Sequence, residues 1–228
     1  MVLGIETSDI LCSVAFWNEG KILAEYNHEL PMQHAAIIGK LVEHGLKFLS
    51  GEHQKKKYEA DDIRLVAVSV GPGSFTGLRI GLSYAQGFCF GRDIPIIGIS
   101  NHQMLASFSP LKFEDVYSII EARRDEVYLA KHKMENHNYN TIVEHLIVPK
   151  IKLADKLTEH SIILFKKDLI LEDKIIDSLM RKHITIFNRL NYSAGLLAEL
   201  GLKKYKLGGS DKLAEIEPMY IRPFAGVK

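Results

Sequence analysis

The sequence predicts an α/β protein, and three features of its first hundred residues carry that prediction. Residues 65–70 and 94–99 are short apolar runs without a charge, the pattern of strands covered on both faces. Residues 76–90, between them, have the spacing and length of a helix. Residues 2–27 hold three further strand-like runs, the last two joined by the turn signal Asn18-Glu19-Gly20.

Taken in order, residues 2–5, 13–17 and 21–27 read as a β-meander. The apolar spacing over 33–49 is helical, and 50–58, polar with Lys55-Lys56-Lys57 in a row, reads as a solvated loop. Strand 65–70 runs into Gly71-Pro72-Gly73-Ser74-Phe75-Thr76-Gly77, helix 76–90 follows, and Gly91-Arg92-Asp93 stops it before strand 94–99. These elements make a three-layer domain ending near residue 100. Beyond it, 116–122 and 126–131 read as a hairpin around Arg123-Arg124-Asp125, 161–165 as a strand, 169–182 and 192–202 as helices, and 135–140 as a polar loop tip. The expected division is 1–100 for the first lobe and 101–228 for the second.

With 228 residues, 46% hydrophobic and 25% charged, the chain can bury a sizeable core. Its 29 basic and 28 acidic side chains nearly cancel, so no overall field draws it to nucleic acid or to an anionic membrane. Contact with RNA would have to come from a local patch or a partner. Cys12 and Cys89 sit in apolar runs without a CxxC spacing and read as buried thiols of a reducing compartment. Neither a signal-peptide pattern nor a run near the roughly 18 apolar residues of a membrane helix occurs, and the expected address is the cytoplasm.

Glycines between a strand and a helix can close backbone N–H groups round a phosphate, which makes Thr7, Ser8, Gly71, Gly73, Ser74 and Thr76 the phosphate-loop candidates. The spacing is GxGxxxG, however, not the GxGxxG of a dinucleotide fold, and no Gly-Lys-Ser/Thr follows. Pro72 also removes one donor. A sharp turn with Ser74 or Thr76 capping the next helix is the preferred reading. Glu6 lacks a second acid at a recognisable spacing for magnesium. No two of the ten histidines lie four apart, and Pro72 stands where a nucleophile elbow around Ser74 needs glycine. Arg123 and Arg124 at a hairpin tip read as solvated. No catalytic residue, metal site or cofactor is therefore assigned.

The two helices of the first lobe say more. In 33–49, Ile38, Val42, Leu46 and Leu49 form one apolar stripe, and Ile37, Leu41 and Phe48 form a second beside it, together wider than the roughly 100° that one core needs. In 76–90 the only charged side chain is Arg79, and small residues recur at Gly77, Gly81 and Ala85 and again at Ser83 and Gly87. A helix so poor in charge must be covered on nearly every side. The reading is burial against a partner through His34, Ile37, Leu41, Phe48, Thr76, Arg79, Ile80, Ser83, Tyr84 and Gly87. Burial beneath the second lobe is the alternative. Without its partner, such a face is expected to drive a two-fold homodimer.

Five stretches carry a resemblance: Val2-Leu-Gly-Ile-Glu-Thr-Ser8, Val68-Ser-Val-Gly-Pro-Gly-Ser-Phe-Thr-Gly-Leu-Arg-Ile-Gly81, Ile94-Pro-Ile-Ile-Gly-Ile-Ser100, Glu121-Ala-Arg-Arg-Asp-Glu-Val-Tyr128 and Pro218-Met-Tyr-Ile-Arg222. In this order they resemble the TsaB (YeaZ) family of bacteria. The resemblance implies an actin-like or sugar-kinase-like fold of two related lobes, the second reduced. It also implies a non-catalytic partner of TsaD, the protein that transfers a threonylcarbamoyl group to the adenosine beside the anticodon of tRNAs. The ATPase TsaE joins that pair, pairing uses first-lobe helices, and tRNA is met only through the complex. The family commonly has Asp at the position of Glu6, whereas TsaD relatives carry Glu there. The HxxxH pair through which TsaD binds its metal is missing here. A competing reading, a sugar-kinase-class nucleotide-binding enzyme or a peptidase-like protein, relies on Glu6-Thr7-Ser8 and the glycine loop. It lacks a catalytic Asp in a second-lobe motif.

Overall fold

The computed structural model describes residues 1–29, 32–51, 57–110, 113–135 and 138–221, so Lys55 and Lys56 of the basic loop and positions 136–137 of the expected loop tip lie outside the described residues. The architecture is mixed α/β, with two five-stranded sheets in two compact units.

The first sheet has the order β3-β2-β1-β4-β5, built from β1 (Val2–Glu6), β2 (Cys12–Asn18), β3 (Lys21–His28), β4 (Leu65–Gly71) and β5 (Ile96–Ser100). The meander β1-β2-β3 is antiparallel, and β4 and β5 run parallel to β1. Strand alternation divides its residues by size. Leu3, Ile5, Val14, Phe16, Val66 and Val68 form one core with Ile38 and Val42 of α1 (His34–Leu49) and Leu82 and Ala85 of α2 (Phe75–Phe90). Helix α1 lies directly on Phe16, since a Cβ at Gly45 would stand 2.1 Å from its ring.

The second unit begins with α3 (Asn101–Ala106) and holds β6 (Val116–Glu121), β7 (Glu126–Glu135), β8 (Asn138–Pro149), α4 (Leu153–Lys156), β9 (Ile162–Lys166), α5 (Asp173–Arg181) and β10 (Thr185–Leu190), in the sheet order β10-β9-β6-β7-β8. The expected hairpin about Arg123–Asp125 is present as β6 and β7. Four of these elements are additional to the sequence reading: α3, β8, α4 and the edge strand β10, whose burial does not alternate cleanly. The helix expected over 169–182 starts only at Asp173, because Leu169 and Leu171 turn into the core ahead of it. Helix α3 is tied to the sheet by a buried chain of hydrogen bonds. His102 Nδ1 meets Ser118 Oγ at 2.7 Å, and that oxygen meets His132 Nε2 at 2.7 Å. Thr141 Oγ1 lies 3.1 Å from His132 Nδ1.

The chain then returns to the first unit. The boundary at residue 100 agrees with the expectation, but residues 193–220, expected in the second lobe, pack on the first sheet. The reason is the sheet's small-residue face. Gly4 and Ala67 leave room for α6 (Ala194–Gly208), whose Ala194, Ala198 and Gly201 lie against them. A Cβ at Gly4 would stand 2.0 Å from the Ala194 carbonyl oxygen. The third layer of the first unit therefore comes from the far end of the sequence. Ser193 caps α6, its Oγ accepting from Leu196 N at 3.2 Å. Glu25 Oε1 accepts from Ser193 Oγ at 2.8 Å and Gly195 N at 3.2 Å, a carboxylate at the positive end of the helix. Past α6, Asp211 covers the edge of β5: its N donates to Ile96 O at 3.0 Å and its Oδ2 accepts from Gly98 N at 2.7 Å.

Two predictions follow from this packing. Glu25→Ala removes the carboxylate from the start of α6 and should cost about 1–2 kcal/mol, read as a lower urea midpoint with an unchanged m value. Burial, helped by the Glu6 carboxylate, pushes the Cys12 thiol up to about 11, and burial alone pushes Cys89 up to about 12. Both pKa values are raised in the fold, so the stability contributed by burying neutral thiols is complete below the unfolded value of 9.0 and is lost as pH rises towards 11 and 12. The urea midpoint should fall above that pH, less steeply in a Cys12→Ala, Cys89→Ala variant. A thiol reagent at about pH 8 should label neither cysteine until denaturant is added.

Candidate functional site

Strand β4 ends at Gly71, whose φ of +98° suits glycine, and a cis Gly71–Pro72 bond leads to Ser74, the N-cap of α2. Ser74 Oγ accepts from Gly77 N at 3.2 Å. The end of β1 lies hard against this turn: Ser74 N donates to Ser8 O at 2.6 Å, and Thr7 Oγ1 donates to Gly77 O at 2.8 Å. A Cβ at Gly73 would meet Ser8 O at 2.4 Å, one at Gly77 would meet Thr7 O at 2.0 Å, and one at Gly81 would meet Thr7 Oγ1 at 2.1 Å. The glycines at 73, 77 and 81 thus have a packing reason. The backbone donors of Ser74 and Gly77 are already committed within the chain.

Of the phosphate-loop candidates, Thr7, Ser8 and Gly71 are buried, whereas Gly73, Ser74 and Thr76 are exposed. Glu6 is fully buried, and both the N–H and the hydroxyl of Ser8 donate to its Oε1. The carboxylate therefore braces the strand end. Among the described residues, no three His, Cys, Asp or Glu side chains come together as a metal-binding group. Arg123 and Arg124 are exposed at the β6-β7 turn.

The structure also places the ten residues read as a partner face. Ile38, Val42 and Leu49 point into the core, while Ile37 and Leu41 are half-buried at its margin and Phe48 is 64% exposed. His34 differs from the expectation. It is only 6% exposed and continues the inward row of Ile38 and Val42, four and eight residues on, so it belongs to the buried side of α1. On α2, Gly77, Leu78, Gly81, Leu82, Ala85 and Cys89 face inward. Thr76, Arg79, Ser83 and Gly87 are exposed, and Ile80 and Tyr84 are half-buried. The helices approach each other where a Cβ at Gly39 would stand 3.5 Å from Tyr84 Cε2. Nothing lies within 4 Å of a Cβ built at Gly87.

Two residues that the sequence reading left out complete this face. Arg79 Cζ lies 3.8 Å from the centroid of the Phe75 ring and 5.7 Å from that of Tyr220, and its Nε donates to Tyr220 Oη at 2.8 Å. Phe75 is four residues before Arg79 on one helix, a signal visible in the sequence. Tyr220 is brought up from the chain's far end by the bond from Met219 N to Val70 O, 2.8 Å long.

The family model described as "TsaD: tRNA N6-adenosine threonylcarbamoyltransferase" matches residues 29–182. The tRNA threonylcarbamoyladenosine biosynthesis protein TsaB of Escherichia coli is 37% identical over 139 residues, 60% of this chain and 56% of that protein. TsaB of Haemophilus influenzae is 33% identical over 132 residues, 57% of this chain and 52% of its own. The chain thus spans rather more than half the length of the curated relatives it matches. The structure of YeaZ from Pseudomonas aeruginosa superposes with a TM-score of 0.74 at 21% identity, covering 96% of this chain and 98% of that one, and so shares the fold. The chain belongs to the family that the TsaD model describes, and the relatives it is similar to include TsaB proteins.

Proposed function

We propose that this chain is the non-catalytic partner of TsaD in forming the threonylcarbamoyl group on the adenosine next to the anticodon of tRNAs. It would act in the cytoplasm in a TsaB–TsaD complex that the ATPase TsaE joins, touch tRNA only through that complex, and pair with itself when alone. The relatives' names support the pathway, and the two-sheet fold supports an actin-like or sugar-kinase-like pair of lobes with the second reduced. Among the described residues, no helix is long and apolar enough to cross a membrane.

The observation that carries the partner role is the outward face of α1 and α2. A glycine in an exposed helix interior costs about 1 kcal/mol relative to alanine, and the fold around Gly87 holds nothing that an alanine would strike. On the same two helices Ser83 is exposed and Ile37, Leu41, Ile80 and Tyr84 are half-buried. Such a face lets a partner helix approach closely and offers apolar area to its rim.

The test is co-purification with TsaD from the same organism. Wild type should give a stable mixed complex on size exclusion. Leu41→Glu and Ser83→Arg, each with an unfolding transition like that of wild type, should lose it, because an unpaired buried charge costs several kcal/mol. Normal binding by both folded variants would show that the face is wrong. If both unfold, the two helices are core. The isolated chain should turn over neither ATP nor tRNA, and turnover that vanishes on changing Glu6 or Ser74 would favour the enzyme reading.

A further inference from the structure

We propose that Arg79 is a preset anchor for a carboxylate of the protein that covers the α1–α2 face, an inference that rests on the TsaD reading above. The guanidinium is exposed yet held in place. Phe75 carries it on its ring face at 3.8 Å, and Tyr220 accepts its Nε–H at 2.8 Å while standing 5.3 Å from Phe75, ring to ring. Its orientation is therefore fixed before any partner arrives, which lowers the entropy lost on binding.

What this orientation leaves unused is the fork of two terminal NH2 groups. Among the described residues Tyr220 is the hydrogen-bond partner of Arg79, and no carboxylate lies within ion-pair reach. A planar fork of this kind matches a carboxylate through two parallel bonds. The surroundings have the same sign. Glu43 is the one acidic side chain on the two helices, and it pairs with Lys47 at 2.6 Å. Lys40, exposed on α1, has no ion-pair partner among the described residues. Arg79 and Lys40 are thus cations of the two helices without an ion-pair partner among the described residues, and a partner surface complementary to Arg79 is acidic there. An arginine held on aromatic rings next to small and apolar contacts is also the composition in which binding energy concentrates.

The experiment measures the Kd for TsaD by calorimetry across a salt series for wild type, Arg79→Gln, Arg79→Lys, Tyr220→Phe and Leu41→Glu, each checked for a wild-type-like unfolding transition. Arg79→Gln should raise Kd by about 30-fold and flatten its dependence on salt, a change that a merely structural role would not produce. Arg79→Lys keeps the charge but not the fork and should raise Kd by about tenfold with the salt dependence retained. Tyr220→Phe frees the Nε and should weaken binding about threefold. If Arg79→Gln binds within twofold of wild type with the same salt dependence while Leu41→Glu fails to bind, the anchor is wrong and the TsaD reading stands. A wild-type chain that does not bind TsaD overturns both. Should Arg79→Gln instead leave TsaD binding intact and weaken retention of tRNA by the complex, the fork serves a phosphate and the carboxylate proposal is overturned. Were Arg79→Gln to unfold, Arg79→Lys and Tyr220→Phe decide by the same criteria.

Discussion

Helix α2 lies closer to the end of β1 than any side chain would allow, and most of the first unit is arranged around that approach. Three glycines, at 73, 77 and 81, leave the space that Thr7 and Ser8 occupy, and two hydrogen bonds, to Ser8 O and from Thr7 Oγ1, lock the pair. Gly77 and Gly81 are one helical turn apart and so fix how α2 is rotated about its axis. Once they face β1, Leu78, Leu82, Ala85 and Cys89 meet the core, and Thr76, Arg79, Ser83 and Gly87 are left outside. The composition of the outward face is thus a consequence of the inward one.

The opposite face of the sheet obeys the same rule with different residues. Helix α6 comes down on Gly4 and Ala67 through Ala194, Ala198 and Gly201, small residues on both sides of the contact. Close contact between small residues favours dispersion but buries little apolar area per residue, so orientation depends on polar fixings. Glu25 and Ser193 supply them at one end of α6, and the bond from Lys204 Nζ to Gly98 O, 2.8 Å long, supplies another further along. Residues some 170 positions apart in sequence thereby become one layer.

This return explains where the sequence was readable and where it was not. Strands 65–70 and 94–99 read as covered on both faces, and they are, but nothing local says that the second cover is the last helix of the chain. Gly4 and Ala67 give no hydrophobic signal even though they mark the contact. In the second unit, β10 is an edge strand with mostly exposed residues, and β8 mixes apolar and polar positions without strict alternation, so periodicity had little to find. On α1 the inward row was legible at Ile38, Val42 and Leu49. His34 continues that row one turn earlier, and its position was in principle readable from the same spacing. Phe75 beside Arg79 was likewise a visible i, i+4 pair. Tyr220, 141 residues from Arg79, was not.

Two accounts of an apolar, charge-poor helix were open from the sequence: a core helix beneath a second lobe, or a helix that meets another protein. Within the first unit the two rows of α2 differ. Ala85 and Cys89 are fully buried within the chain, whereas Ser83 and Gly87, on the other side of the same turns, are exposed with open space beside Gly87. A helix that merely bordered solvent would be more stable with alanine at 87 and would gain solubility from charges at 76, 80, 83 and 84. Its only charge, Arg79, is instead held on two aromatic rings with its fork turned outward. Stability of the isolated chain explains neither the glycine nor the poverty of charge, whereas the proposed contact with a partner helix would account for both, since it needs a small residue at the crossing and excludes charges that would be buried unpaired.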